Sequence, residues 1–235
     1  MTIGRMTIPD VAFSPEIEKK LEEYTRRTGD TSSYISEVGV DSAGLTSADP
    51  GELRLFASIE YLKEDPENGL AALNVALAFD CLGQIDNAVQ VLETVMKAGN
   101  PGLYPEQWDE DPEFLSGFWL ADAGRLDESL AFYDRCMKKQ IPRFKGPILG
   151  HIGSVLHEQQ NFDLALTSYS AAVAEYEGEA GHFDDSNSSK EHYDWVQAGI
   201  EEQLLTLKHL IAKATSKEVF PASRWYSGLQ ITRDI

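Results

Sequence analysis

The stretch that decides the fold is Asn74-Val-Ala-Leu-Ala-Phe-Asp-Cys-Leu-Gly-Gln-Ile-Asp-Asn-Ala-Val-Gln-Val-Leu-Glu-Thr-Val95. Its apolar residues recur at helical spacing until Gly83 interrupts them, and the spacing resumes from Ala88 onwards. Small residues stand at Ala76 and Ala88, where two helices would touch. The stretch therefore predicts a helical hairpin with its turn at Gly83. A hairpin this short cannot bury its apolar face alone, so it needs neighbouring hairpins to pack against.

The same pattern returns twice, at 114–136 and at 149–172. Each copy has a small residue on the first helix, a large apolar residue three positions later, a turn residue, and a small residue that opens the second helix. These positions are Ala76, Phe79, Gly83 and Ala88; Gly117, Leu120, Gly124 and Ser129; and Gly153, Leu156, Gln160 and Ala165. Gln160 departs from the glycine that such turns favour. An irregular helical bundle is the alternative interpretation, and three copies in register argue against it.

The three copies resemble the tetratricopeptide repeat (TPR), a helical hairpin of about 34 residues, over residues 66–177. Tyr133 and Tyr169 match the aromatic position of its second helix. The resemblance implies an all-α fold, a right-handed helical-hairpin repeat solenoid with N-terminal and C-terminal capping helices.

We expect four segments along the chain. Residues 1–50 form an N-terminal helical cap or arm, extended over its first 13 residues. Residues 51–177 hold one degenerate and three recognisable repeats. Residues 178–188 form an acidic linker, and residues 189–235 form a C-terminal capping helix with an aromatic tail.

The C-terminal segment shows why a capping helix is expected. Ser188 and Glu191 have the spacing of a capping box, which would open a long helix that ends near Ala214. The tail beyond it carries Phe220 and Trp225, and large apolar groups are costly to leave in water. We therefore expect the tail to dock on the end helix or in the repeat groove.

Composition limits the kind of partner. The net charge is −19 and the isoelectric point is near 4.5, so the chain repels phosphate backbones and anionic lipids. A basic peptide or protein face is the expected partner, and self-association stays open. Solubility alone explains the charge equally well. No apolar run in the sequence is long enough for a membrane span. We also expect no secretory signal, because the first nine residues contain no long apolar segment. Cys81 and Cys136 lie at packing positions, which predicts buried thiols in a reducing, cytoplasmic compartment.

The sequence contains no nucleotide-binding loop, nucleophile elbow or dinucleotide fingerprint, so we expect no catalytic residue, metal or cofactor. The resemblance implies instead that first helices line a concave surface that contacts a partner segment. The residues placed on this surface are Leu73, Asn74, Leu77 and Asp80; Phe114, Phe118, Ala121 and Asp122; and His151, Ser154, His157 and Glu158. For the two histidines, contact with a ligand is preferred over simple exposure to solvent.

Two other functions stay open. An extended N-terminus followed by two short helices resembles a ribbon-helix-helix DNA-binding arm, which would make the chain a regulator with a TPR sensor domain. Pro9 in the supposed strand and the acidic charge argue against it. A metal-dependent enzyme would use His182, Asp184, Asp185 and His192, although their spacing fits no calcium-binding loop.

Overall fold

A computed structural model describes residues 1–13, 50–99, 111–139, 145–180 and 190–219, with single positions at 15, 19, 22, 23, 26 and 221. Apart from two short strands, the regular structure in these residues is helical. The helices are α1 (Pro50–Glu64), α2 (Gly69–Cys81), α3 (Ile85–Lys97), α4 (Pro112–Asp122), α5 (Leu126–Lys138), α6 (Lys145–Glu158), α7 (Phe162–Ala180) and α8 (Lys190–Thr215). The predicted all-α class is confirmed. In the described ranges, no helix is long and apolar enough to cross a bilayer.

The chain divides into two compact units, Met1–Trp119 and Leu120–Ile235. The boundary falls inside α4. The four segments expected from the sequence, 1–50, 51–177, 178–188 and 189–235, stay a prediction.

The N-terminus differs from the expected extended arm. Strands β1 (Thr2–Ile3) and β2 (Met6–Thr7) pair antiparallel as a small hairpin. Gly4 at its tip has a φ of 56°, and a Cβ there would lie 2.5 Å from the Pro66 carbonyl oxygen. Ile3, Met6 and Ile8 are buried in the core of the first unit. The arm folds back because its apolar residues alternate and can cover the helices that follow.

The core of the first unit is built from α1, α2 and α3 together with this hairpin. Helix α1 contributes Leu55, Ile59 and Leu62, each at most 1% exposed, whereas Phe56 on the same helix is half-buried. Asn68 caps α2, since its Oδ1 accepts a hydrogen bond from the Ala71 amide at 3.0 Å.

The core of the second unit lies mainly between α7 and α8. Ala165, Tyr169, Ala172 and Tyr176 form one row along α7, and they pack with Leu207 and other apolar residues of α8. The predicted long C-terminal helix is confirmed as α8. Its proposed cap, Ser188, lies outside the described residues, as do Phe220 and residues 222–235 of the tail.

The helices α2, α4 and α6 all end in the same turn. In each, a residue with positive φ donates its amide hydrogen to the carbonyl three residues earlier, and the next residue donates to the carbonyl five earlier. The positive-φ residues are Gly83 (69°), Gly124 (73°) and Gln160 (62°). This is the Schellman motif, which satisfies carbonyls at a helix end. The next helix begins two residues later in all three cases.

The equivalent positions of the three hairpins also share their burial. The small residues that open the second helices, Ala88, Ser129 and Ala165, are fully buried. So are Leu92, Tyr133 and Tyr169, four positions further on. The three helix–turn–helix copies predicted from the sequence are therefore local structural equivalents, including the copy in which Gln160 replaces glycine.

Candidate functional site

The residues expected to contact a partner fall into two groups by exposure. Asn74, Leu77, Asp80, Phe118 and Glu158 are partly exposed, and Asp122 is exposed. The others are buried: Leu73, Phe114, Ala121, His151, Ser154 and His157. The buried side chains are covered in this structure, and contact of the set with a partner stays a prediction.

The helices that pack against a first helix determine which of its residues stay exposed. α2 packs against both α1 and α3, so only a narrow row of its residues stays accessible. Leu73 lies outside that row and belongs to the core of the first unit. The accessible residues follow the helical period and are Leu70, Asn74, Leu77, Asp80 and Cys81. We call this row the α2 stripe.

The α2 stripe combines apolar, hydrogen-bonding and charged groups. Leu70 is 44% exposed, and Leu77 is half-buried against the core. The Asn74 Nδ2 donates to the Leu70 carbonyl at 3.1 Å, so its side-chain oxygen remains as an acceptor. Asp80 adds a negative charge near the end of the helix. Such a row can pack against an apolar side chain of a partner. It can also accept a hydrogen bond from a main-chain or basic donor beside that side chain.

Cys81 and Arg54 border this stripe. Cys81 was expected to be buried, but it is exposed because it lies one helical turn beyond Leu77 on the outward row. Arg54 reaches over from α1, and its Nη1 lies 4.0 Å from the Cys81 Sγ. The Arg54 Nε is buried and has no hydrogen-bond partner within the described residues. The period through Asn74 and Leu77 could have identified Leu70 and Cys81, whereas no sequence pattern points to Arg54.

The third hairpin places His157 in a buried hydrogen-bond network. Its Nε2 lies 2.6 Å from the main-chain carbonyl oxygen of Glu218. A carbonyl only accepts, so Nε2 carries the hydrogen and donates it. In the neutral ring Nδ1 then accepts from the Tyr169 hydroxyl at 3.2 Å. Burial raises the pKa of Tyr169, so this hydroxyl keeps its proton and remains a donor.

Ser154 lies beside this network without entering a catalytic arrangement. Its Oγ donates to the Gly150 carbonyl of the same helix at 3.1 Å, and it lies 3.5 Å from the Tyr169 hydroxyl. Ser154 and His157 are at most 1% exposed, so a substrate cannot reach them in this structure. These residues hold α6, α7 and the segment after α8 together.

His151 is buried in the second unit against an aromatic ring. It is 2% exposed, and its ring stacks on Tyr133 with centroids 5.7 Å apart. Burial lowers the pKa of His151 to about 3, because the charged imidazolium would lose its hydration. The residue is therefore neutral at physiological pH and acts as part of the core.

The supposed metal ligands His182, Asp184 and Asp185 lie outside the described residues, as does the side chain of His192. No protein-family model, curated protein or solved structure matches the chain. The features of the chain that bear on function are its repeated hairpin geometry and the exposed residues of α2.

Proposed function

We propose that the chain is a non-catalytic protein-binding module of the tetratricopeptide-repeat type, an adaptor whose hairpins stack into a right-handed solenoid with capping helices. The observation that carries this proposal is the repetition of one local structure. Three hairpins share a Schellman turn at Gly83, Gly124 and Gln160 and bury a small residue five positions later. Repeats of this kind present the accessible residues of their first helices to a partner along a concave surface.

The α2 stripe is the part of this surface that the first hairpin offers. Leu70 supplies an exposed apolar anchor, and Asn74 supplies a hydrogen-bond acceptor next to it. A net charge of −19 favours a basic peptide or protein face and disfavours nucleic acid. The proposal includes a reducing, cytoplasmic compartment, since neither Cys81 nor Cys136 forms a disulfide.

A peptide selection tests this proposal without knowledge of the natural partner. The full chain is immobilised and a random dodecapeptide library is selected on it. We expect enriched peptides that combine positive charge with apolar residues, because these complement the α2 stripe. Binding of the selected peptides is then measured by titration calorimetry for the wild-type chain and for Leu70→Asp.

Leu164→Asp is the matched control for this experiment. Leu164 is 52% exposed on α7, a second helix, whereas Leu70 is 44% exposed on α2. We expect Leu70→Asp to weaken binding by at least about tenfold, roughly the loss of a buried anchor, and Leu164→Asp to leave it unchanged. A selection that enriches no peptide, or equal loss in both variants, would contradict the proposal.

The DNA-binding alternative has no support among the described residues. A ribbon-helix-helix arm needs a free strand at the N-terminus, but β1 and β2 pair with each other. Met6 and Ile8 are fully buried in the same unit. Pairing with a second chain would require this hairpin to leave the core.

A further inference from the structure

The segment that follows α8 has an unusual backbone. Lys217 has a φ of 57°, a left-handed conformation that is unfavourable for a residue with a Cβ. Its amide donates to the Ala214 carbonyl, and the Glu218 amide donates to the Lys213 carbonyl, both at 3.0 Å. These are the bonds of a Schellman motif without the usual glycine. Contacts beyond the turn must help to hold it.

Two contacts of Glu218 do so. Its side-chain carboxylate pairs with Lys213 across the turn. Its main-chain carbonyl accepts a hydrogen bond from the buried His157 Nε2 at 2.6 Å. The turn at Lys217 therefore presents the Glu218 carbonyl to α6, on the same side of the third hairpin where a partner contact was expected.

We propose that His157 is a main-chain-binding site on the third hairpin and that Ser216–Val219 occupies it as an intrachain latch. The imidazole donates to a backbone carbonyl, so the contact requires a main-chain acceptor and no particular side chain. While the latch is closed, His157 is fully buried. When it opens, His157 becomes accessible to a carbonyl of another peptide segment. This inference concerns the second unit and is independent of the α2 stripe.

A pair of substitutions at Lys217 tests the latch in the full chain. Proline cannot adopt a positive φ, so Lys217→Pro breaks the turn, whereas Lys217→Gly preserves it. Acylation of histidines by diethylpyrocarbonate, read by mass spectrometry, reports access to each imidazole. His209 is exposed on α8 and serves as the internal reference. We expect His157 to react about tenfold or more slower than His209 in the wild type and Lys217→Gly, and comparably to His209 in Lys217→Pro.

A second variant approaches the same contact from α6. His157→Leu removes the donor, and His209→Leu is the matched control. We expect tryptic cleavage after Lys217 to accelerate about tenfold in His157→Leu only, because the segment opens locally. Cleavage after Lys97 in the first unit should not change. Continued protection of His157 in Lys217→Pro, or equal cleavage in the two histidine variants, would overturn the latch.

A peptide probe tests the main-chain site itself. The amidated peptide of residues 214–221, added at millimolar concentration to Lys217→Pro, should slow the acylation of His157 by at least about twofold. The reaction of His209 should not change. Unaltered acylation of His157 at that concentration would overturn its assignment as a site for other segments.

Discussion

Gly153 shows how a single residue sets the distance between two helices. A Cβ on Gly153 would lie 2.5 Å from a ring carbon of Tyr169, so α6 and α7 approach this closely only because the side chain is missing. The same approach brings the Tyr169 hydroxyl within 3.2 Å of the His157 Nδ1. The small residue predicted from the repeat pattern therefore also makes the buried hydrogen bond possible.

Gly153→Ala should destabilise the second unit by ~1–3 kcal/mol, because the new methyl overpacks against an aromatic ring held on both sides. Gly178→Ala is the control, since a Cβ at Gly178 on α7 meets no atom of the described residues within 4 Å. There alanine should stabilise the helix by ~0.5–1 kcal/mol. Urea unfolding measures both changes. A neutral or stabilising Gly153→Ala would contradict the close contact.

His151 should make stability depend on pH. Its pKa is about 3 in the folded chain against 6.5 as the ordinary value. Between these values the unfolded chain binds a proton that the folded chain excludes, so stability falls as pH decreases below 6.5. The loss attributable to His151 should be about 1.4 kcal/mol between pH 7.5 and 5.5.

Comparing the pH slope of urea unfolding in His151→Gln and His209→Gln checks this assignment. The first variant should lose the slope attributed to His151. The second should retain it, because His209 is exposed. If the pH dependence of the unfolding free energy is unchanged in His151→Gln, groups other than His151 cause it.

Among the elements, the turn shared by the three hairpins is energetically unfavourable in the third hairpin, where its positive-φ residue is Gln160. Gln160 adopts a φ of 62° where the other copies have glycine, and this conformation costs a residue with a Cβ about 1 kcal/mol or more. Gln160→Gly should therefore stabilise the chain by ~1 kcal/mol.

The converse change at the equivalent turn position of the second hairpin is Gly124→Ala. It should destabilise the chain by a similar amount. No atom lies within 4 Å of a Cβ built on Gly124, so its effect comes from the backbone conformation alone. Denaturant unfolding of the two variants provides the measurement. Changes of the same sign in both would show that the turns are not equivalent.

Equivalent positions on α2 and α6 have different environments. Asp80 and His157 each stand three residues before the positive-φ residue of their turn. Asp80 remains partly exposed, whereas His157 is fully buried. α6 packs against α7 and α5 and also receives the segment after α8. The same place in a repeat is therefore a surface in one copy and core in another.

At the scale of the whole molecule, a net charge of −19 must produce repulsion between like charges in the folded chain. Raising sodium chloride from about 10 mM to 500 mM should increase the thermal midpoint, because screening shortens the range of this repulsion. The affinity for selected basic peptides should fall over the same range. If the affinity for these peptides does not change with salt, apolar contacts such as those of Leu70, and not charges, account for the binding.

Local sequence patterns were sufficient to predict most helices of this chain. Helical spacing predicted the three hairpins and the long α8, because each depends on contacts a few residues apart. It also predicted that small residues such as Gly153 stand where helices touch. Gln160 was expected to depart from the pattern, but its backbone follows the same turn, because the helices on both sides require it.

Which residues stay accessible depends on contacts between elements that are distant in sequence. Periodicity identifies the face of a helix, but exposure depends on how many distant elements cover that face. The N-terminal arm became a hairpin in the core of the first unit. Cys81 turned outward beside Arg54 from another helix. His157 is buried, and its Nε2 donates to the carbonyl of Glu218, 61 residues along the chain. No local pattern contains a contact between residues so far apart.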